Sequence, residues 1–230
     1  MNANFDWSFI LSDRVVESIA DGFRLTAVIV VGAGLCAGIV GGGVALLQVS
    51  TYPSAQRIGQ AYVAFFRNTP LLILLFFFYF GLPVLLPRAR FPFIYANQYE
   101  ITVAIIAVSL VSAAFIAEVI RGGIQTIAAG QLESALATGL TRRQGFQYVV
   151  FPQLGPTVLP GLSNEAINIV KNSSYSMTIG VTELIWQAQQ IEVDTFRGFE
   201  AMTAVTIVYL LINGSIFLAF RGLEHIFRAK

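Results

Sequence analysis

Long apolar stretches separated by short polar segments dominate the sequence. A helix that crosses the hydrocarbon core of a membrane needs about 20 apolar residues. This pattern predicts five spanning helices, at about residues 23–47, 62–86, 100–121, 161–177 and 201–221. Because prolines precede the fourth stretch, we expect its helix to begin only after Pro160. The chain is therefore predicted to be an all-α integral membrane protein with one transmembrane domain over residues 1–230.

The composition agrees with this prediction. Of the 230 residues, 56% are hydrophobic and only 12% are charged, whereas soluble domains carry about 25% charged residues. The formal net charge of +1 argues against nucleic acid as a partner. The sequence has no G-x-x-x-x-G-K-[ST] loop for nucleotide phosphates, and it contains one histidine and one cysteine. We therefore expect no enzymatic activity, no metal site and no cofactor bound by this chain itself.

The distribution of Lys and Arg predicts the orientation of the chain in the membrane. With five spans, one face would carry Arg57, Arg67, Arg121, Arg142, Arg143, Arg221, Arg228 and Lys230. The other face would carry Arg14, Arg24, Arg88, Arg90 and Arg197. Cytoplasmic loops of membrane proteins are enriched in Lys and Arg. The C-terminus and the segment 122–152 are therefore predicted to be cytoplasmic, and the N-terminus is predicted to lie outside.

The most polar part of the chain is this segment, residues 122–152. Gln131–Thr138 carries a narrow apolar stripe that predicts a short amphipathic helix. Gly139 fits the left-handed position after a helix end, and Thr141–Gln144 matches a capping box that would start a second short helix. Because so short a helix is not stable alone in water, we expect it to insert into a groove of a partner protein. The alternative is a helix that lies on the lipid surface.

Five polar side chains recur at helical spacing in the fourth predicted span: Asn164, Asn168, Lys171, Asn172 and Tyr175. On a continuous helix they would share one face, opposite an apolar face. Ionisable groups within a span are costly to bury, and they are functional candidates for that reason. We interpret this polar face as the wall of a substrate path for zwitterions. The alternative is a contact between subunits through amide hydrogen bonds.

Two charges near the ends of neighbouring predicted spans form a further candidate. Arg67 belongs to the second span and Glu118 to the third, both near the predicted cytoplasmic face. We expect them to form a structural ion pair, and removing one partner of a buried pair costs about 3–5 kcal/mol. The alternative is two separate charges that reach independently to the membrane interface.

The polar segment also has an ordered motif. Glu133-Ser134-Ala135 is followed after three residues by Gly139 and, after nine more, by Val149-x-Phe151-Pro152. This order resembles the EAA loop (Glu-Ala-Ala, x3, Gly, x9, Ile-x-Leu-Pro) of the membrane subunits of bacterial ATP-binding-cassette (ABC) importers. Four segments also resemble signatures of the polar amino acid permeases of the histidine/glutamine/glutamate type: Phe66–Leu72, Glu118–Gln125, Lys171–Ser174 and Ile179–Leu184.

The resemblance implies the fold of a type I ABC importer permease with a cytoplasmic coupling helix. The residues that it implies for contact with the ATPase are Glu133, Ser134, Ala135, Gly139, Arg142 and Pro152. It further implies a second permease subunit, identical or different, and two ATPase subunits that hold ATP and Mg. An amino acid-binding protein, periplasmic or extracellular, would dock outside, and the chain would reside among the lipids of a bacterial inner membrane.

The polar face also suggests a substrate class. Lys171 and the lack of a carboxylate on this face favour glutamate or aspartate, followed by glutamine and other polar amino acids. Two other function classes are compatible with the apolar spans. One is a secondary transporter or channel that does not use ATP, and the other is a structural subunit without a transport path.

Overall fold

The computed structural model describes residues 7–86, 92 and 98–228, and within these residues it contains helices and no strands. The α-helices are α1 (Asp13–Gln48), α2 (Pro53–Asn68), α3 (Leu71–Leu85), α4 (Tyr99–Ala137), α5 (Arg142–Gly145), α6 (Phe151–Ser173), α7 (Leu184–Thr195) and α8 (Gly198–Arg228). Two 3₁₀-helices, Trp7–Leu11 and Ser174–Ile179, and one π-helix, Phe146–Val150, complete the secondary structure. The all-α prediction is confirmed.

Three helices are long and apolar enough to cross a membrane: Asp13–Gln48, Tyr99–Ile127 within α4, and Gly198–Phe227 within α8. The helices α2 and α3 form a bent pair that adds a fourth crossing if the pair counts as one span. The described residues therefore support three or four spans by length and composition, and the count of five stays a prediction.

The single helix predicted for about residues 62–86 is interrupted, because the chain breaks between α2 and α3. Thr69 adopts an extended conformation (φ −101°, ψ 124°) directly before Pro70. A residue that precedes proline is driven out of the helical region by the proline ring. The side chains of Asn68 and Thr69 cap the end of α2, donating to the carbonyls of Ala64 and Phe65 at 2.7 and 2.8 Å. The Thr69-Pro70 pair that causes this break can be read directly from the sequence.

Two other predicted boundaries are corrected. The segment Gln131–Thr138 is largely the end of α4 and not a separate helix. The glycines that precede this segment weaken α4 but do not end it, because glycine within a helix is unfavourable without breaking the hydrogen bonds. The helix that corresponds to the fourth predicted span, α6, begins at Phe151 and continues through Pro156 and Pro160, so it does not start after Pro160. It ends at Ser173, before the predicted limit of 177, and a 3₁₀-helix follows.

The spacing of the prolines explains why α6 continues. Pro152, Pro156 and Pro160 are four residues apart, so the N–H groups that Pro156 and Pro160 lack would have donated to the carbonyls of Pro152 and Pro156. The missing hydrogen bonds therefore fall on one face, where a helix bends more easily than it breaks. The wider π-turn before Pro152, in which the Phe151 N–H donates to the Phe146 carbonyl, absorbs the first proline.

The described chain forms two compact units. The described residues of the first lie within the ranges 1–35, 70–109 and 169–214, and those of the second lie within 36–69, 110–168 and 215–230. Each division falls within α1, α4, α6 or α8 or at the break before Pro70, so no polar linker in the sequence could reveal it. That residues 1–230 act as one transmembrane domain stays a prediction.

Each unit has its own apolar core. In the first, Ile29 of α1, Leu75 of α3 and Val103 of α4 are completely buried together with Ala104 and Ala107. In the second, Val44, Ala45, Val63, Ala114 and Ala117 from α1, α2 and α4 form the core. The many small residues let helix backbones approach closely, which is how helices associate in membranes.

A buried carboxylate joins two helices within the first unit. Glu183 is 0% exposed and caps the start of α7, where its Oε1 accepts from the N–H groups of Ile185 and Trp186 at 2.9 and 3.1 Å. Its Oε2 accepts from the Tyr209 hydroxyl of α8 at 2.8 Å. These hydrogen bonds offset the cost of burying the carboxylate, which also lies at the favourable N-terminal end of a helix. The sequence showed Glu183 only as part of a motif.

Candidate functional site: a helical hairpin and two polar clusters

The end of α4 is closed by a backbone turn that centres on Gly139. This residue has a left-handed conformation, with φ +91°. The Leu140 N–H donates to the Ala135 carbonyl at 3.2 Å, and the Gly139 N–H donates to the Leu136 carbonyl at 3.0 Å. These two bonds define the Schellman motif, which satisfies carbonyls that the helix end would leave free. The left-handed conformation predicted for Gly139 is confirmed.

The chain resumes helical structure at a capping box. The Gln144 N–H donates to the Thr141 hydroxyl at 3.4 Å, and the Thr141 N–H donates to the Gln144 side-chain oxygen at 2.9 Å. The capping box predicted at these two residues is confirmed. The helix that it starts, α5, is four residues long and passes through the π-turn into α6. We call residues 131–153, from the end of α4 to the start of α6, the hairpin.

The two arms of the hairpin pack closely. Ala135 is 6% exposed, and Gly145 opposite it is also buried. A Cβ atom on Gly145 would lie 2.8 Å from Leu132 Cδ1 and 3.5 Å from Ala135 Cβ, so a larger residue there would push the arms apart. The Gln153 amide donates to the side-chain oxygen of Gln131, which links the arms a second time. The hairpin is therefore a folded unit and not a loose loop.

The residues predicted to contact an ATPase divide into two groups. Ala135 points into the hairpin, and Gly139 sets its turn. The others are exposed: Glu133, Ser134, Arg142 and Pro152. Leu136 adds an apolar side chain that is 42% exposed. Arg142 lies in the wall of a cleft beside the hairpin, so the outer surface offers the carboxylate of Glu133, the hydroxyl of Ser134 and the apolar side chain of Leu136 for contact with another protein.

The structure brings Arg67 and Glu118 together within the second unit, but Arg67 is the more distant of two arginine partners. Arg67 Nη1 lies 3.7 Å from Glu118 Oε2. Arg121 donates to both carboxylate oxygens: its Nε lies 3.0 Å from Oε1, and its Nη2 lies 2.7 Å from Oε2. Gln48 donates to Glu118 Oε1 at 2.8 Å. The Arg67 guanidinium also lies 5.2 Å from the centre of the Phe115 ring.

Arg121 was not predicted as a partner of Glu118, because it was used only for the motif and for the orientation of the chain. It lies three residues after Glu118 in α4, a spacing at which side chains meet on a helix, so the sequence carried the signal. Gln48 lies 70 residues away and gave no such signal.

The predicted polar face is accessible. In the second unit, Asn164 and Asn168 are exposed, and Asn168 donates to the buried Glu165 at 3.3 Å. In the first unit, Lys171 and Tyr175 are exposed and Asn172 is partly buried. Tyr175 lies in the 3₁₀-helix and not in α6. Their role in a substrate path stays a prediction.

Comparison with known proteins identifies the family. Residues 19–228 match the family described as "Binding-protein-dependent transport system inner membrane component". The chain belongs to this family. It is therefore a membrane component of a transport system, and the hairpin carries the motif that resembles the EAA loop.

Individual relatives match over most of the chain. The probable glutamine ABC transporter permease protein GlnM of Bacillus subtilis (strain 168) is 34% identical over 204 residues, which cover 89% of this chain and 90% of the relative. The glutamate/aspartate import permease protein GltJ of Escherichia coli (strain K12) is 30% identical over 235 aligned positions, gaps included, and the alignment covers 97% of this chain and 95% of the relative.

A solved structure confirms the fold class. The crystal structure described as that of an amino acid ABC transporter with histidines superposes with a TM-score of 0.84 at 27% identity. The match covers 96% of this chain and 99% of that chain. The permease fold that the sequence predicted is therefore confirmed.

Proposed function

We propose that this chain is the permease subunit of an ATP-driven, binding-protein-dependent importer of polar L-amino acids. The family supports a transport role, and the names of two relatives, which refer to glutamine and to glutamate and aspartate, support the substrate class. The observation that carries the proposal is the hairpin. It is folded by its own internal contacts, yet it presents Glu133, Ser134 and Leu136 outward.

The hairpin is suited to transmit motion from an ATPase. The same α4 helix extends from Tyr99 to Ala137, so a force applied near Glu133 enters a helix that is also a candidate span. The Schellman turn at Gly139 and the Gln131–Gln153 hydrogen bond hold the second arm to the first. In this proposal two ATPase subunits, which hold ATP and Mg, bind the hairpins of two permease subunits from the cytoplasm.

The remaining partners follow from this arrangement. The second permease subunit is a further copy of this chain or a related chain, and an amino acid-binding protein delivers substrate on the opposite face. The N-terminus lies outside and the C-terminus in the cytoplasm, as the distribution of Lys and Arg favours. ATP binding draws the hairpins together, and the substrate path then changes the face to which it opens.

The substrate that we propose first is glutamate or aspartate. Lys171 is exposed in the described chain and supplies an ammonium group that would bind a side-chain carboxylate. Asn164, Asn168 and Asn172 supply amides for the backbone groups of an amino acid. Glutamine is the second candidate, because it shares the amino acid backbone but lacks the second carboxylate.

Uptake into proteoliposomes tests this function. The permease is reconstituted with its ATPase and binding protein, and uptake of labelled glutamate and glutamine is measured with ATP and, separately, with sodium or proton gradients alone. We expect uptake to require both ATP and the binding protein. Uptake driven by an ion gradient without ATP would identify a secondary transporter and contradict the proposal.

The substitution K171M tests the substrate assignment in the same assay. A charge-assisted hydrogen bond contributes about 1.5–3 kcal/mol, so the preference for glutamate over glutamine should fall about tenfold to a hundredfold. R57M, which removes an exposed positive charge from α2, serves as the control and should leave the preference unchanged. An equal loss for both substrates together with lower thermal stability would assign Lys171 a structural role instead.

A further inference from the structure

A large cleft in the second unit lies beside the inner side of the hairpin. Its volume is about 850 Å³, which falls in the range of about 300–1,000 Å³ that is typical of ligand pockets. Its apolar lining comprises Leu46, Val49, Ile124, Leu132, Phe146, Val150 and Phe151. Leu46 and Phe151 are 60% and 65% exposed in the described chain, whereas Ile124 and Val150 are buried, so the uncovered apolar surface is that of Leu46 and Phe151.

The polar lining of the cleft has one sign of charge. Arg142 and Arg143, both exposed, lie at consecutive positions in its wall, and the other polar lining residues are glutamines. Among the described residues that line the cleft, none is Asp or Glu. Two guanidinium groups next to an uncovered apolar surface complement a ligand that has a phosphate group and a hydrocarbon chain. Guanidinium groups bind phosphate oxygens in a bidentate geometry that glutamine amides cannot reproduce.

The cleft also lies where two candidate spans end. Leu46 and Gln48 belong to the last turn of α1, and Ile124 and Gln125 belong to the last turn of the span within α4. Lipid head groups lie at the two faces of a membrane, beside the ends of the helices that span it. Basic pockets between transmembrane helices bind the head groups of anionic lipids.

We propose that this cleft binds an anionic phospholipid. The phosphate group contacts Arg142 and Arg143, and an acyl chain covers Leu46 and Phe151. This site goes beyond the proposed function, because it makes the position of the hairpin depend on the lipid composition of the membrane. The site is formed within one unit by α1, α2, α4, α5, the π-helix and the first residue of α6, so its occupant would hold the hairpin against the ends of the spans.

Native mass spectrometry of the complete, delipidated importer in detergent tests the proposal. The complex is titrated with dioleoylphosphatidylglycerol or with dioleoylphosphatidylcholine, and the bound lipids are counted. We expect one tightly bound phosphatidylglycerol for each copy of this chain. R143Q should weaken its binding about tenfold to a hundredfold, because a charge-assisted hydrogen bond is lost. R57Q, which removes a charge outside the cleft, is the control and should have little effect.

Two further measurements test whether the bound phosphate must belong to a lipid and whether the apolar wall of the cleft contributes to binding. Glycerophosphoglycerol, the same head group without acyl chains, should not displace the lipid at equal concentration. L46W, which fills the cleft without changing its charge, should abolish the tight site. Equal binding of the two lipids, or equal effects of R143Q and R57Q, would overturn the proposal.

The ATPase is the competing occupant, and the same experiment separates it from a lipid. Phosphatidylglycerol bound to the isolated permease but absent from the complete importer would assign the cleft to the ATPase and would also overturn the proposal. Because the readout is lipid bound and not substrate transported, its failure would leave the proposed transport function intact.

Discussion

At the scale of single residues, the surroundings of Glu118 change the prediction that the sequence supports. The sequence predicted one ion pair with Arg67, whose loss would cost several kcal/mol. In the structure the Arg67 side chain is 44% exposed and 3.7 Å from the carboxylate, whereas Arg121 is in direct contact at 2.7 Å. Exposed ion pairs contribute only about 0–1 kcal/mol. The structure therefore assigns most of the interaction to Arg121.

A double-mutant cycle measures this division. R121A removes two charge-assisted hydrogen bonds from Glu118, so its coupling energy with E118Q should be about 1.5–3 kcal/mol. The coupling energy of R67A with E118Q should be about 0–1 kcal/mol. The measurement is the free energy of unfolding of each single and double variant in detergent, determined from denaturant titrations.

The control for the cycle is R57A, because Arg57 lies in the same helix as Arg67 but does not contact Glu118. Its effect should add to that of E118Q without coupling. A coupling energy for Arg67 that exceeds the one for Arg121 would show that the geometry around Glu118 is wrong.

At the scale of secondary structure elements, local signals were predictable and long-range ones were not. Gly139 and the Thr141–Gln144 box were correctly predicted because turns and caps depend on neighbours within a few residues. The bend at Pro70 had an equally local cause, but the length of the apolar stretch outweighed it in the prediction. The contact of Ala135 with Gly145 could not be predicted, since it depends on how the two arms fold together.

The turn at Gly139 yields a prediction for the hairpin. G139V places a β-branched residue at φ +91°, where steric strain costs about 1–2 kcal/mol. The second arm should then leave its position, so that amino acid uptake and substrate-stimulated ATP hydrolysis both fall while the protein still inserts into the membrane. The measurement is uptake and phosphate release by the reconstituted importer.

G130V is the matched control for this prediction. Gly130 is also exposed and lies in α4, but its φ is not positive, and an added Cβ would meet no atom of the described residues within 4 Å. It should therefore leave coupling nearly intact. Normal coupling in G139V would show that the turn is not needed for contact with the ATPase.

At the scale of the whole molecule, the order of the motifs predicted more than any single helix did. The family and the fold class were predicted correctly from segments between Phe66 and Leu184, whereas several helix boundaries were wrong. Motif residues mark contacts that are needed for function, while helix ends also depend on tertiary packing. The link between Glu183 and Tyr209 illustrates the limit, because its two partners are 26 residues apart and share no local pattern.

Site-specific photo-crosslinking tests the central claim, that the hairpin docks on the ATPase. Cys36 is the only cysteine, so C36S provides a background in which L136C or V193C carries a benzophenone probe. Both positions are exposed, at 42% and 67%, but only Leu136 lies in the hairpin. We predict that the probe at position 136 crosslinks to the ATPase in the assembled importer and that the probe at position 193 does not. Equal crosslinking at both positions, or none at position 136 in an importer that retains ATP-driven uptake, would contradict the claim.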